Sequence, residues 1–171
     1  QPRDQFNLAL FSDGQTPLSP TPLPATPENV ERALAFVKGS MLGGGTDLNG
    51  ALLKAIELAN AFPAGEHSIV VVTDANPTLR VLGTKRIVQA FDQANRSDTQ
   101  ALTRLFVFAL GADANAALLQ ELTRKCRGDF AQARETEDLS TQLNILFSRI
   151  GRPSIDGLRF LADDEIGRAH V

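Results

Sequence analysis

Three consecutive glycines, Gly43, Gly44 and Gly45, run into Thr46 and Asp47 at the head of the amphipathic segment "LNGALLKAIELA". Bare backbone, a hydroxyl and a carboxylate, all where a helix is about to begin, form a pattern for holding a charged ligand. Backbone N–H groups at a helix start favour an anion such as phosphate. A threonine oxygen equally suits a hard divalent cation, which takes oxygen ligands. A second chemical group stands at Asp74, which closes the β-branched run "SIVVVTD". Thr46 Oγ1 and an Asp74 carboxylate, direct or through water, fit Mg²⁺, which keeps several waters beside one or two protein groups. "TDANP" is also good turn sequence, so capping a turn is the alternative role for Asp74. Asp47 competes for the same ion but suits the first turn of the helix, where the dipole favours it. Ser12 and Asp13 follow "LALF", and Asp113 follows "FVFALG", so these three positions also lie just past apolar strands.

These groups need elements to carry them. "QFNLALF" reads as a strand ended by the turn residues "SDG". The stretch "TPLSPTPLPATP" is too dense in proline for helix or central strand, which leaves an extended edge or a loop. Thr26 then caps a helix with Pro27 at its first position, Glu28 in its first turn and Gly39 at its end. Val30, Ala33, Leu34 and Val37 form the stripe this helix is expected to bury. A second helix follows the glycines, with Leu48, Leu52, Ile56 and Ala59 on one face.

"SIVVVTD" is apolar on both faces, as a buried parallel strand would be. Helix, strand, helix, short strand and helix then follow in "GTKRIVQAFDQANR", "RLFVFALG", "NAALLQELTRKCRG", "DFAQA" and "TEDLSTQLNILFSRI", with "SIDGLRF" as a strand outside the main sheet. Such alternation predicts right-handed βαβ units, hence an α/β fold, doubly wound, with a mostly parallel sheet and helices on both faces. In open sheets of this type ligands bind beyond the carboxyl ends of the strands, the region where Asp74, Ser12, Asp13 and Asp113 fall.

Composition narrows the function classes. A 171-residue chain suffices for one domain with a substantial core, and its net charge of −3 carries no basic cluster that would suit nucleic acid. No apolar run approaches the length of a membrane span. One cysteine, Cys126, leaves no internal disulfide and no multi-cysteine zinc site. It falls late in a helix with no histidine near in sequence and is expected to be packed. His67 is expected on the surface in a loop.

Taken together, "GGGTDLNGALLKAIELA" and "SIVVVTDANPTL" resemble the second and third metal-binding loops of a von Willebrand factor type A domain. "DQFNLALFS", "PATPENVERALAFVKGSMLGGGTDL" and "RLFVFALGADANAALLQELTRKCRGDF" resemble the inter-alpha-trypsin inhibitor heavy chain-like branch in the same order, over roughly residues 3–160. The resemblance implies a metal-ion-dependent adhesion site in which Thr46 is the threonine ligand and Asp74 the aspartate, usually reached through water. It further implies Mg²⁺, or Mn²⁺ or Ca²⁺ in its place, and a protein partner whose carboxylate completes the shell. A preceding VIT domain and an extracytoplasmic or cell-surface location are also implied.

Two departures qualify this. Ala75 and Asn76 replace the usual glycine-containing turn, and the family's Asp-x-Ser-x-Ser loop occurs nowhere in the chain. The resemblance places that loop on a central strand between "QFNLALF" and "SIVVVT", so the chain is expected to be a fragment lacking its first central strand and helix. It is then expected to fold poorly or aggregate, with weak or absent metal binding. Residues 3–150 are expected to form the partial domain, 151–165 the start of a following segment whose "RPSIDGLRF" resembles the strand after the A domain, and 166–171 a tail derived from a sequencing adapter, since "EIGRAHV" matches one of its translation frames. A structural domain with a decayed metal site is one alternative. A phosphate- or nucleotide-binding enzyme is the other, although "GGGTD" lacks the Gly-Lys-Ser/Thr ending of a P-loop and "ALGADANAAL" lacks the glycines of a dinucleotide fingerprint.

Overall fold

The computed structural model describes residues 4–40, 45–63, 65–73, 84–96, 102–111, 116–134 and 138–150. Asp74, Asp113 and residues 151–171 therefore lie outside the described residues, and with them the strand expected at "SIDGLRF".

The parallel sheet is built from β5 (Glu66–Thr73), β6 (Leu102–Leu110) and β7 (Phe130–Ala133), in the order β5-β6-β7. Its register pairs Ile69 with Leu105, Val70 with Phe106 and Val107 with Phe130. Alternation along β6 divides the core in two. Leu105, Val107 and Ala109 face a layer containing Ile69 and Val71 of β5, Leu48, Leu52, Ile56 and Ala59 of α2 (Leu48–Ala59), and Leu119 and Leu122 of α4 (Ala116–Lys125). Val88 and Ala90 of α3 (Thr84–Arg96) pack against that layer. Phe106 and Phe108 face the other way, onto Leu146 of α5 (Leu139–Ile150) and Ala133. Helices on both faces of a parallel sheet are the doubly wound arrangement expected from the alternation of elements.

Two polar devices fix these layers. Arg104 donates from Nη2 to the carbonyl of Ile150 at 2.9 Å and lies 5.5 Å from the Phe106 ring centroid, tying the end of α5 to β6. Gly128 lets the turn before β7 press on β6, because a Cβ there would overlap the Leu105 carbonyl.

The N-terminal third differs from expectation. "QFNLALF" is not one strand but two, β1 (Gln5–Phe6) and β2 (Ala9–Phe11). Asn7 interrupts it: its Oδ1 accepts the Leu8 amide at 2.8 Å and its Nδ2 donates to the Ser19 carbonyl at 2.9 Å. Such local side-chain bonds offer the backbone an alternative to a ladder. β2 pairs antiparallel with β3 (Gln15–Pro17), and β1 with β4 (Leu23–Pro24). The proline-rich stretch thus supplies extended edges, as its composition required.

α1 (Pro27–Gly39) begins as expected, with the Asn29 amide bonded to Thr26 Oγ1 at 3.3 Å. Its apolar stripe is not buried. Val30, Leu34 and Val37 are 44%, 55% and 44% exposed, and the helix has no buried residue. Periodicity marks a face that something can cover, but among the described residues no element covers this one. β5 is likewise buried on one face only, with Val70 36% and Val72 51% exposed, because α5 packs over β6 and β7 and stops short of it. His67 sits in β5 rather than in a loop, its Nε2 2.8 Å from the Pro63 carbonyl.

Candidate metal centre

α2 and β5 are joined by a short turn, and their directions decide where Thr46 falls. The turn is held by the Phe62 and His67 rings, 5.6 Å apart, so the end of α2 meets the beginning of β5. Leu52, Ile56 and Ala59 then pack on Ile69 and Val71, which makes the two elements run side by side in opposite directions. A 12-residue helix spans about 18 Å. The eight-residue strand spans about 26 Å. The start of α2, with Thr46 two residues ahead of it, therefore lies toward the carboxyl end of β5, where Thr73 is the last strand residue.

Thr46, Thr73 and Ser12 line one cavity of about 1200 Å³. Residues from both faces of β5 line it as well, Ile69 and Val71 together with Val70 and Val72, so it runs along the strand's edge. Phe6 and Phe11 line it too. Asp74, the next residue after Thr73, is outside the described residues, so the geometry at hand concerns Thr46 and its surroundings.

That surrounding is closely tied. The Asp47 amide donates to the Ser12 carbonyl at 2.7 Å, joining the glycine-rich loop to the end of β2. Asp47 is the N-cap of α2 rather than a first-turn residue, and its Oδ1 accepts the Gly50 amide at 2.9 Å. A Cβ on Gly50 would overlap Asp47 Oδ2 and come within 2.6 Å of Gln15 Nε2. Ser12 Oγ donates to Asp13 Oδ1 at 3.0 Å. The structure thus brings Thr46, Asp47 and Ser12 together. Gln15 and Gly50 escaped the sequence reading, although a glycine inside a helix costs about 1 kcal/mol against alanine and so signals a packing reason.

The donor set is suited to a hard cation in part. Thr46, Ser12 and Thr73 are oxygen-bearing residues, the ligand type Mg²⁺ and Ca²⁺ take. Among the described residues no three His, Cys, Asp or Glu side chains come together as a metal cluster. At the carboxyl end of β6, Gly111 (φ 94°) turns the chain and its carbonyl accepts Gln132 Nε2 at 2.7 Å; Asp113, two residues on, lies outside the described residues.

Cys126 is free and 1% exposed, packed in the layer between β6 and α4. Burial, with the Asp92 carboxylate as a smaller cause, pushes its thiol up to about 12. A thiol held protonated is a poor nucleophile, so Cys126 serves packing.

Comparison with known proteins agrees with this architecture. A family model described as the von Willebrand factor type A domain matches residues 1–131. Human inter-alpha-trypsin inhibitor heavy chain H4 is 30% identical over 93% of this chain, which covers 17% of that protein. Bovine heavy chain H1 is 26% identical over 94% of this chain and is covered to 18%. The chain thus spans less than a fifth of the relatives it matches. Among solved structures, a von Willebrand factor type A protein from Catenulispora acidiphila superposes with a TM-score of 0.69 at 15% identity, over 88% of this chain and 34% of that one. An aerotolerance-related membrane protein from Bacteroides fragilis gives 0.60 at 17% identity, over 86% and 79% respectively. Both are likenesses of fold.

Proposed function

This chain belongs to the von Willebrand factor type A domain family, of the inter-alpha-trypsin inhibitor heavy chain type, and on that premise we propose that it is a protein-binding module whose contact is bridged by a divalent cation. Binding, not catalysis, is the role proposed. Thr46 and Asp74 would hold Mg²⁺, or Mn²⁺ or Ca²⁺ in its place, with the remaining ligands supplied by water and by oxygens of the longer protein. The ion would supply a double positive charge with an open coordination position, where it attracts a carboxylate on the partner.

One observation carries this reading: Thr46 and Thr73, the residue before Asp74, line the same cavity. The antiparallel course of α2 and β5 supports the same reading, because it sets Thr46 toward the Thr73 end of the strand. A neighbouring VIT domain and an extracytoplasmic location belong to the same proposal, drawn from the heavy-chain relatives.

The test is made on the full-length protein with an immobilised acidic peptide as probe. Retention is expected with Mg²⁺, loss on chelation, and weakened retention in Asp74→Ala. Retention that survives both chelation and Asp74→Ala rules out the metal bridge.

A further inference from the structure

We infer that Asp47 is a positioning residue, which fixes the Thr46 hydroxyl against the end of β2 and does not itself bind the ion. The inference rests on the Mg²⁺ reading of Thr46 and deepens it. Three polar groups of Asp47 are engaged by the protein itself. Its amide is held by the Ser12 carbonyl at 2.7 Å, its own carbonyl accepts the Ala51 amide at 3.0 Å, and its Oδ1 accepts the Gly50 amide at 2.9 Å. Two of these bonds belong to the first turn of α2 and one to β2, so the residue joins two elements.

The peptide unit explains why Thr46 is affected. The bond between Thr46 and Asp47 is planar, so fixing the Asp47 N–H onto Ser12 also fixes the direction of the Thr46 carbonyl. With the backbone held on that side, the Thr46 side chain retains one heavy-atom torsion to set, and β-branching restricts it further. An oxygen ligand to a small cation gains from such pre-organisation, because Mg²⁺ demands near-ideal geometry.

Gly50 and Gln15 complete the joint. The absence of a side chain at Gly50 leaves room for the Asp47 carboxylate beside Gln15 of β3, and a Cβ there would push the carboxylate out of its capping position or displace the Gln15 amide. The Ser12 carbonyl, Asp47 and the Gly50 amide thus form one latch behind Thr46, with Gln15 beside it.

Calorimetry of the full-length protein with Mg²⁺ alone, combined with amide hydrogen exchange at Gly50, separates positioning from ligation. Asp47→Asn and Asp47→Ser keep a capping oxygen and are expected to hold Mg²⁺ affinity within about threefold. Asp47→Ala is expected to lower affinity tenfold or more and to speed exchange at Gly50. Gly50→Ala, which removes no charge and no oxygen, is expected to lower affinity as Asp47→Ala does; circular dichroism establishes that each variant is folded. Asp47→Asn losing as much affinity as Asp47→Ala, with normal exchange at Gly50, overturns the positioning role and makes Asp47 a ligand. Thr46→Ala with unchanged Mg²⁺ affinity overturns the underlying site instead, so the two failures are distinct.

Discussion

β5 and β6 lie side by side in one parallel sheet with similarly apolar sequences, but they are covered differently. Every residue of β6 from Thr103 to Ala109 is buried, between α4 on one face and α5 on the other. β5 has its inner face closed by α2, while Val70 and Val72 stand exposed beside Phe106 and Phe108. The same division continues outward. α4 and α5 bury apolar residues, whereas α1 keeps Val30, Leu34 and Val37 in solvent. The covered half fixes the sheet, and β5 borders the cavity that Thr46 lines. Apolar surface left open along a strand edge invites pairing with another chain, and that is the physical consequence of the difference.

Substitution on the two sides should expose the contrast sharply. Phe108→Ala, on the covered side, is expected to cost about 3–5 kcal/mol, read from the urea midpoint. A loss below about 1 kcal/mol would mean that α5 does not pack as described. Gly128→Ala should come next, at about 1–3 kcal/mol, because the added carbon collides with the Leu105 carbonyl and β6 must shift. On the open side, Val72→Lys should change stability by less than about 0.5 kcal/mol. It should nevertheless reduce self-association of the 171-residue chain in sedimentation. Unchanged association would show that the β5 edge is not its source.

The effect that is smallest near neutral pH, and grows only under alkaline conditions, is that of Cys126. Cys126 has its thiol raised from 9.0 to about 12 in the folded chain, so the unfolded chain releases that proton first. Its contribution to stability is therefore complete below pH 9 and is lost as pH rises toward 12. Cys126→Ala should remove this part of the alkaline decline, and a decline identical in both proteins would count against it.

What the sequence made legible was local. Thr26 as a cap, Leu52 and Ile56 as a buried face, and the apolar core of β6 all follow from spacing within one element. The failures share one cause. The stripe of α1 and the outer face of β5 have the pattern of buried surface, but pattern cannot say whether another element arrives to cover it. Asn7 broke a strand through bonds to Leu8 and Ser19, the second of them twelve residues away. In the candidate site, Thr46 was readable from residue type and resemblance, and the structure sets it in the lining of a cavity. The latch of Ser12, Asp47 and Gly50, with Gln15 beside it, was not readable, because it exists only where β2, β3 and α2 meet.

If Thr46 and Asp74 serve one ion, their contributions to its binding must be coupled. A double-mutant cycle on Mg²⁺ binding, measured by calorimetry in the full-length protein, tests it most directly. Thr46→Ala and Asp74→Ala should each weaken binding at least tenfold, and the double variant should lose much less than the sum of the two. Strictly additive losses, or full affinity in either single variant, would contradict a shared site.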